Sequence, residues 1–107
     1  MSVDRSDFVV IGYNLDCKYY NEDIYDQFYD IKVGEISHIF DWMNGEYYIV
    51  GIPLVYDIKS YNGIPLTEFD SDWVKKYESY FKLVKEHIKE YFDLEVEPKI
   101  LVFSHYT

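Results

Sequence analysis

Three histidines, one cysteine and a band of closely spaced carboxylates and tyrosines are the residues of this 107-residue chain whose types could do chemistry. Nucleophilic catalysis needs a nucleophile held against a base, with a third group orienting that base. His38, His87 and His105 are expected in unlike places: within a hairpin, on the exposed side of a helix, and near the chain end. Ser104 adjoins His105, but neighbours on a strand point to opposite faces, and the same alternation separates His38 from Asp41. An enzyme or small-ligand sensor with His38 and Asp41 lining a cleft therefore lacks a shared face. The chain reads as non-enzymatic.

Metal and cofactor signals are equally thin. Cys17 is alone, so it forms neither an intrachain disulfide nor a cysteine metal site, which suits a cytoplasmic protein. Asp16 to Asp30 lacks the central glycine and the alternate carboxylates of a calcium loop. His87 and Glu90 stand one turn apart and could share a metal, but such exposed, mixed-charge helix positions are ordinarily solvated. The glycines Gly12, Gly34, Gly45, Gly51 and Gly63 are isolated, so no phosphate loop is present, and no cofactor is expected.

What stands out is acidity. The net charge is -10, with a pI near 4.5. Residues 1–70 hold thirteen carboxylates against Arg5, Lys18, Lys32 and Lys59, whereas residues 71–93 are balanced. Direct binding to nucleic acid or to an anionic membrane is disfavoured, and a partner held by charge should be basic. Thirteen tyrosines exceed what a core of this size can satisfy with hydrogen bonds, so several should lie at the surface, unless the composition merely follows an AT-rich coding sequence. The candidate partner-binding residues are Asp16, Tyr19, Glu22, Asp23, Asp26, Tyr29, Asp30, Asp41 and Glu46. In composition, the first two-thirds resembles the small acidic proteins by which phages block DNA-handling host proteins, including anti-restriction and anti-CRISPR DNA mimics. A fifteen-residue helix is roughly 22 Å long, a length over which duplex DNA carries about thirteen phosphates. Mimicry would thus need Asp41, Glu46, Asp57, Glu68 and Asp70 on the same face as the carboxylates of residues 16–30.

The elements that must position these residues follow from periodicity. Ser71 to Asp93 predicts a long amphipathic helix, capped by Asp70 or Ser71, with Tyr77, Tyr80, Phe81, Val84, Ile88, Tyr91 and Phe92 on its apolar side. Asp7 to Leu15 reads as a strand that is apolar on both faces, hence central; Gly12 should mark a bulge or a close approach of a covering helix. Asp16 to Asp30 predicts a helix from Tyr19, or a shorter one starting at Glu22 with Asn21 as cap and an irregular remainder. Glu35 to Trp42 and Tyr47 to Tyr56 predict a tight hairpin turning at Asn44-Gly45. Pro53 requires that the second strand be an edge there, or end there. Tyr56 to Asp70 is a second hairpin or a functional loop, and Lys99 to His105 is a strand.

The order strand, helix, strand, strand, helix, strand predicts one domain over residues 1–107, a ferredoxin-like α+β sandwich whose first and last strands are central. Function stays open between two classes. One is an acidic module docking on the basic surface of a protein partner, for instance a nucleic-acid-binding one. The other is a homo-oligomeric assembly unit using a sheet edge and surface tyrosines.

Overall fold

The computed structural model describes residues 5–55 and 73–106. The cap at Asp70 or Ser71, the loop from Tyr56 to Asp70, and the carboxylates Asp57, Glu68 and Asp70 lie outside the described residues. The order is β1 (Arg5–Asn14), α1 (Glu22–Phe28), β2 (Ser37–Phe40), β3 (Tyr48–Val55), α2 (Trp73–Phe92) and β4 (Lys99–Tyr106), with a single 3-10 turn at Cys17–Tyr19. The strands form one antiparallel sheet in the order β2-β3-β1-β4. This is the ferredoxin-like α+β sandwich. Among the described residues, no helix is long and apolar enough to cross a membrane.

Strand alternation divides the sheet into two apolar layers. Ile11, Tyr48, Val50 and Ile52 pack with Leu15 and with Tyr77, Val84 and Ile88 of α2. On the other face Phe8, Val10, Ile39 and Ile49 are buried, and Phe103 stacks on Phe8 at 5.2 Å. Burying each such aliphatic or aromatic side chain contributes about 1.5–3 kcal/mol, which is why β1, apolar on both faces, lies inside the sheet.

The centre of the sheet differs from the sequence reading in one respect. Among the described residues the two inner strands are β1 and β3, and β4 is an edge, where Val102 is 76% exposed. A continuous apolar run misplaces β4 because it registers side-chain character, and the position is set by which strand the chain can reach. Pro53 is tolerated on inner strand β3 because β2 pairs only as far as Ser37 opposite Gly51. The Pro53 carbonyl accepts from Gly34 N–H at 2.9 Å, so its ring nitrogen faces the same side, past the end of β2, where no donor is required.

Gly12 and Gly51 face each other across β1 and β3. A methyl on Gly51 would press on the Ile11 carbonyl oxygen and lie 2.7 Å from Gly12 Cα; one on Gly12 would press on the Val50 carbonyl oxygen. The close approach expected at Gly12 is therefore made by a neighbouring strand and not by a helix. The bulge falls between Val9 and Val10.

Candidate partner-binding face

Helix α1 is short because its cap is Asn21. That side chain accepts from Ile24 N–H at 3.2 Å, and Glu22 and Asp23 occupy the first turn, where the helix dipole favours them. The chain before it is irregular. Asp16, at φ 77°, accepts from Lys18 N–H at 3.4 Å, and Tyr20 lies outside the helix. With its register fixed, α1 turns Ile24, Tyr25 and Phe28 inward to half-buried positions, while Glu22, Asp23 and Asp26 are exposed, followed by exposed Tyr29 and Asp30. The structure thus brings five of the nine candidate residues onto one solvent-facing side.

The β2–β3 connection is not the two-residue turn that Asn44-Gly45 suggests. Gly45 has φ 63°, but the strands stop at Phe40 and restart at Tyr48. The loop between them winds around one carboxylate. Asp41 is 3% exposed and accepts from the N–H groups of Met43, Asn44 and Glu46 at 3.0–3.1 Å. Burial alone would raise its carboxyl; those three hydrogen bonds overcome it and hold the group below the ordinary range. Asp41 is therefore a loop-organising residue and is not presented to a partner, a correction to the candidate set. Asp41→Ala is expected to cost about 1–2 kcal/mol, as for loss of a helix cap, and to lower the thermal midpoint by several degrees in a calorimetric scan.

The loop so held displays Trp42, which sequence reasoning missed. Trp42 is 58% exposed, yet its indole N–H donates to Tyr25 Oη at 3.2 Å, and the rings of Phe40, Tyr20 and Tyr25 lie 4.7, 5.5 and 5.6 Å away. Met43 beside it and Tyr29 across α1 are 51% and 59% exposed. The carboxylates surround this patch. Glu22 and Asp26 act on the Tyr20 phenol, whose titration is raised by burial first and by these charges next. Asp16, Asp41 and Glu46 likewise add to burial in raising the Cys17 thiol. Residues 16–46 carry eight carboxylates and two lysines, a net of -6. Tyr19 is the other departure from expectation: it is half-buried against the core, with Lys18 Nζ 5.3 Å from its ring centre.

The chain matches no protein-family model, and no curated protein or solved structure was found to be similar to it.

Elsewhere the surface compensates itself. Along the outer side of α2, Lys85 pairs with Glu97 at 2.6 Å and Lys89 with Asp93 at 2.9 Å. The histidines are not surface groups. His87, expected on the exposed side of α2, is buried at 9% exposure, and its Nε2 lies 2.8 Å from Nε2 of the fully buried His38. His38 Nδ1 is 2.7 Å from Tyr48 Oη. On the opposite face, His105 Nδ1 is 2.5 Å from Tyr47 Oη. Among the described residues, no three of His, Cys, Asp and Glu form a metal-ligating group.

Proposed function

We propose that this chain is a non-enzymatic binding module that docks its acidic, tryptophan-centred face on a basic surface of a protein partner. The observation that supports this reading is Trp42: a large exposed ring, immobilised by a hydrogen bond and three neighbouring rings, within a field of carboxylates. Such a side chain loses little freedom on binding, and pinned aromatic anchors are where interface energy concentrates. The surrounding charge selects arginine and lysine, and an arginine can both stack on the indole and pair with a carboxylate. A surface that ordinarily receives nucleic-acid phosphates fits this chemistry, so the module would act as an inhibitor in the manner of the phage DNA mimics, though without Asp41, which is buried. The exposed carboxylates of Asp16, Glu22, Asp23, Asp26, Asp30 and Glu46 would supply the negative charge that such a groove meets.

An affinity pull-down from cell extract at low and high salt, with mass spectrometry of the retained proteins, tests this reading. A nucleic-acid-binding protein retained at low salt and released at high salt is expected. Its retention should be abolished by Asp23→Lys, Asp26→Lys and Asp30→Lys together, and weakened about thirtyfold or more by Trp42→Ala, with circular dichroism unchanged. Retention that survives both changes sinks the proposal.

A second reading rests on β4. Among the described residues this eight-residue strand has a neighbour on one side only, and Val102 is the most exposed large apolar residue. Pairing of that edge with a second copy would double the mass in solution, with little dependence on salt.

A further inference from the structure

The Tyr48–His38–His87 chain lies beneath the one helix that carries most of the proposed binding face. Phe28, the last residue of α1, stacks on His38 at 4.7 Å and meets His87 edge-on at the same distance. Helix α1 has no fully buried residue and touches the sheet chiefly at β2, the strand that holds His38. Tyr25 anchors the middle of α1 against Phe40 and Tyr48, whereas the seat of its last residue, Phe28, is the surface that the two imidazoles form.

Hydrogen-bond direction fixes the protons of this chain. The buried Tyr48 hydroxyl has His38 Nδ1 as its hydrogen-bond partner, so its proton goes there. His38 Nδ1 is then an acceptor and Nε2 carries the proton, which it donates to His87 Nε2. His87 in turn carries its proton on Nδ1. The reverse direction would leave the Tyr48 proton without an acceptor, which favours this one.

An added proton has no place in this arrangement. On His38 it would occupy Nδ1, and on His87 it would occupy Nε2, forcing His38 to protonate at Nδ1 instead. Either way the Tyr48 hydroxyl would have to accept, leaving its own proton without a partner in the core. A second proton would set two N–H groups against each other at 2.8 Å. Among the described residues, none of the groups that face the pair is charged. Facing the pair are Phe28 of α1, Tyr48 of β3, and Tyr91 and Phe92 of α2. Glu22, Asp23 and Asp26 of α1 and Glu86 and Glu90 of α2 are exposed, and Lys89 is paired with Asp93. Burial first, and for His38 the neighbouring imidazole second, push both rings down, His38 to about 3 and His87 to about 4.

We propose that the His38–His87 pair is an acid-released latch that seats the Phe28 end of α1 when both rings are neutral and frees that end when they are charged. Released imidazoles titrate near 6.5, so below that value two protons favour the open form by about a hundredfold per pH unit, or about a thousandfold by pH 5. The rings that Phe28 meets are His38 of β2 and His87 and Tyr91 of α2, so the pairing of β1 with β4 should persist. Control of the binding face by this latch rests on the function proposed above, whereas the latch itself does not.

Nuclear magnetic resonance of the intact chain from pH 7.5 to 5.0, above its isoelectric point, tests the latch. At pH 7.5 the imidazole spectra should show His38 protonated at Nε2 and His87 at Nδ1. By pH 5.0 charged imidazoles should appear, with loss of at least half of the Phe28–His38 cross-peak intensity, while the Val10–Leu101 contact across β1 and β4 persists. Charged rings with Phe28 still seated, neutral rings with α1 unchanged at pH 5.0, or simultaneous loss of the Val10–Leu101 contact would each overturn the proposal. The charge-reversal pull-down at pH 7.5 reads the binding face alone, so failure of one idea is distinguishable from failure of the other.

Discussion

Gly51→Ala is expected to destabilise the fold by about 3 kcal/mol or more, at the upper end of overpacking costs. The added methyl would meet the Ile11 carbonyl oxygen, with Gly12 Cα and Val10 Cγ1 each 2.7 Å away. Two of these three obstacles are main chain, which cannot rotate aside as a side-chain tip can. Relief requires β1 and β3 to part, and these are the two inner strands, so hydrogen bonds on both sides of the sheet are strained together. Domains of this size have about 5–15 kcal/mol of stability, so the substitution removes a large fraction of it. Gly45→Ala is the control: nothing lies within 4 Å, and only the φ of 63° opposes it, at about 1–2 kcal/mol. Urea denaturation of both variants against the parent decides the matter; a Gly51→Ala midpoint no lower than that of Gly45→Ala would mean that the strands accommodate a methyl.

The next largest effect is expected at His38. His38→Ala deletes a fully buried ring that touches Phe28, Tyr48, His87 and Phe92 and leaves the Tyr48 hydroxyl without an acceptor. The lost packing and the orphaned hydroxyl together should cost about 3–5 kcal/mol at pH 7. A thermodynamic cycle with Tyr48→Phe separates the two parts. Since the hydroxyl pairs with His38, removing both partners should cost about 1 kcal/mol or more less than the sum of the single changes. Additivity in urea denaturation would show that the hydroxyl finds another partner when His38 is gone.

The elements legible in the sequence were those whose reason is local. Helix α2 follows from three-and-four spacing, the two-faced burial of β1 from its unbroken apolar run, and the start of α1 from Asn21 ahead of Glu22 and Asp23. His87 was legible too, since it lies three residues after Val84 and four before Tyr91, inside the apolar stripe, but a polar residue type drew it toward the surface. Its contact with His38, 49 residues away, was not legible, because no local pattern sets how α2 lies across the sheet. The dipeptide Asn44-Gly45 misled for a different reason. Local turn preference lost to Asp41, whose carboxylate gathers three amides and opens the connection into a wider loop. The same event buries Asp41 and exposes Trp42, so one carboxylate accounts for both differences from the sequence reading.

Tyr47 immediately precedes β3 and Tyr48 opens it, and their hydroxyls reach histidines on opposite faces of the sheet. Sliding β3 by a single residue would turn each phenol to the wrong face, separating both from their imidazoles at once. Each stranded buried group costs about 1–3 kcal/mol. Apolar contacts can be remade in a slipped pairing, because one aliphatic side chain substitutes tolerably for another, but these two hydrogen bonds cannot. The adjacent tyrosines therefore act as a two-sided key, cut so that an inner strand fits its neighbours in one alignment.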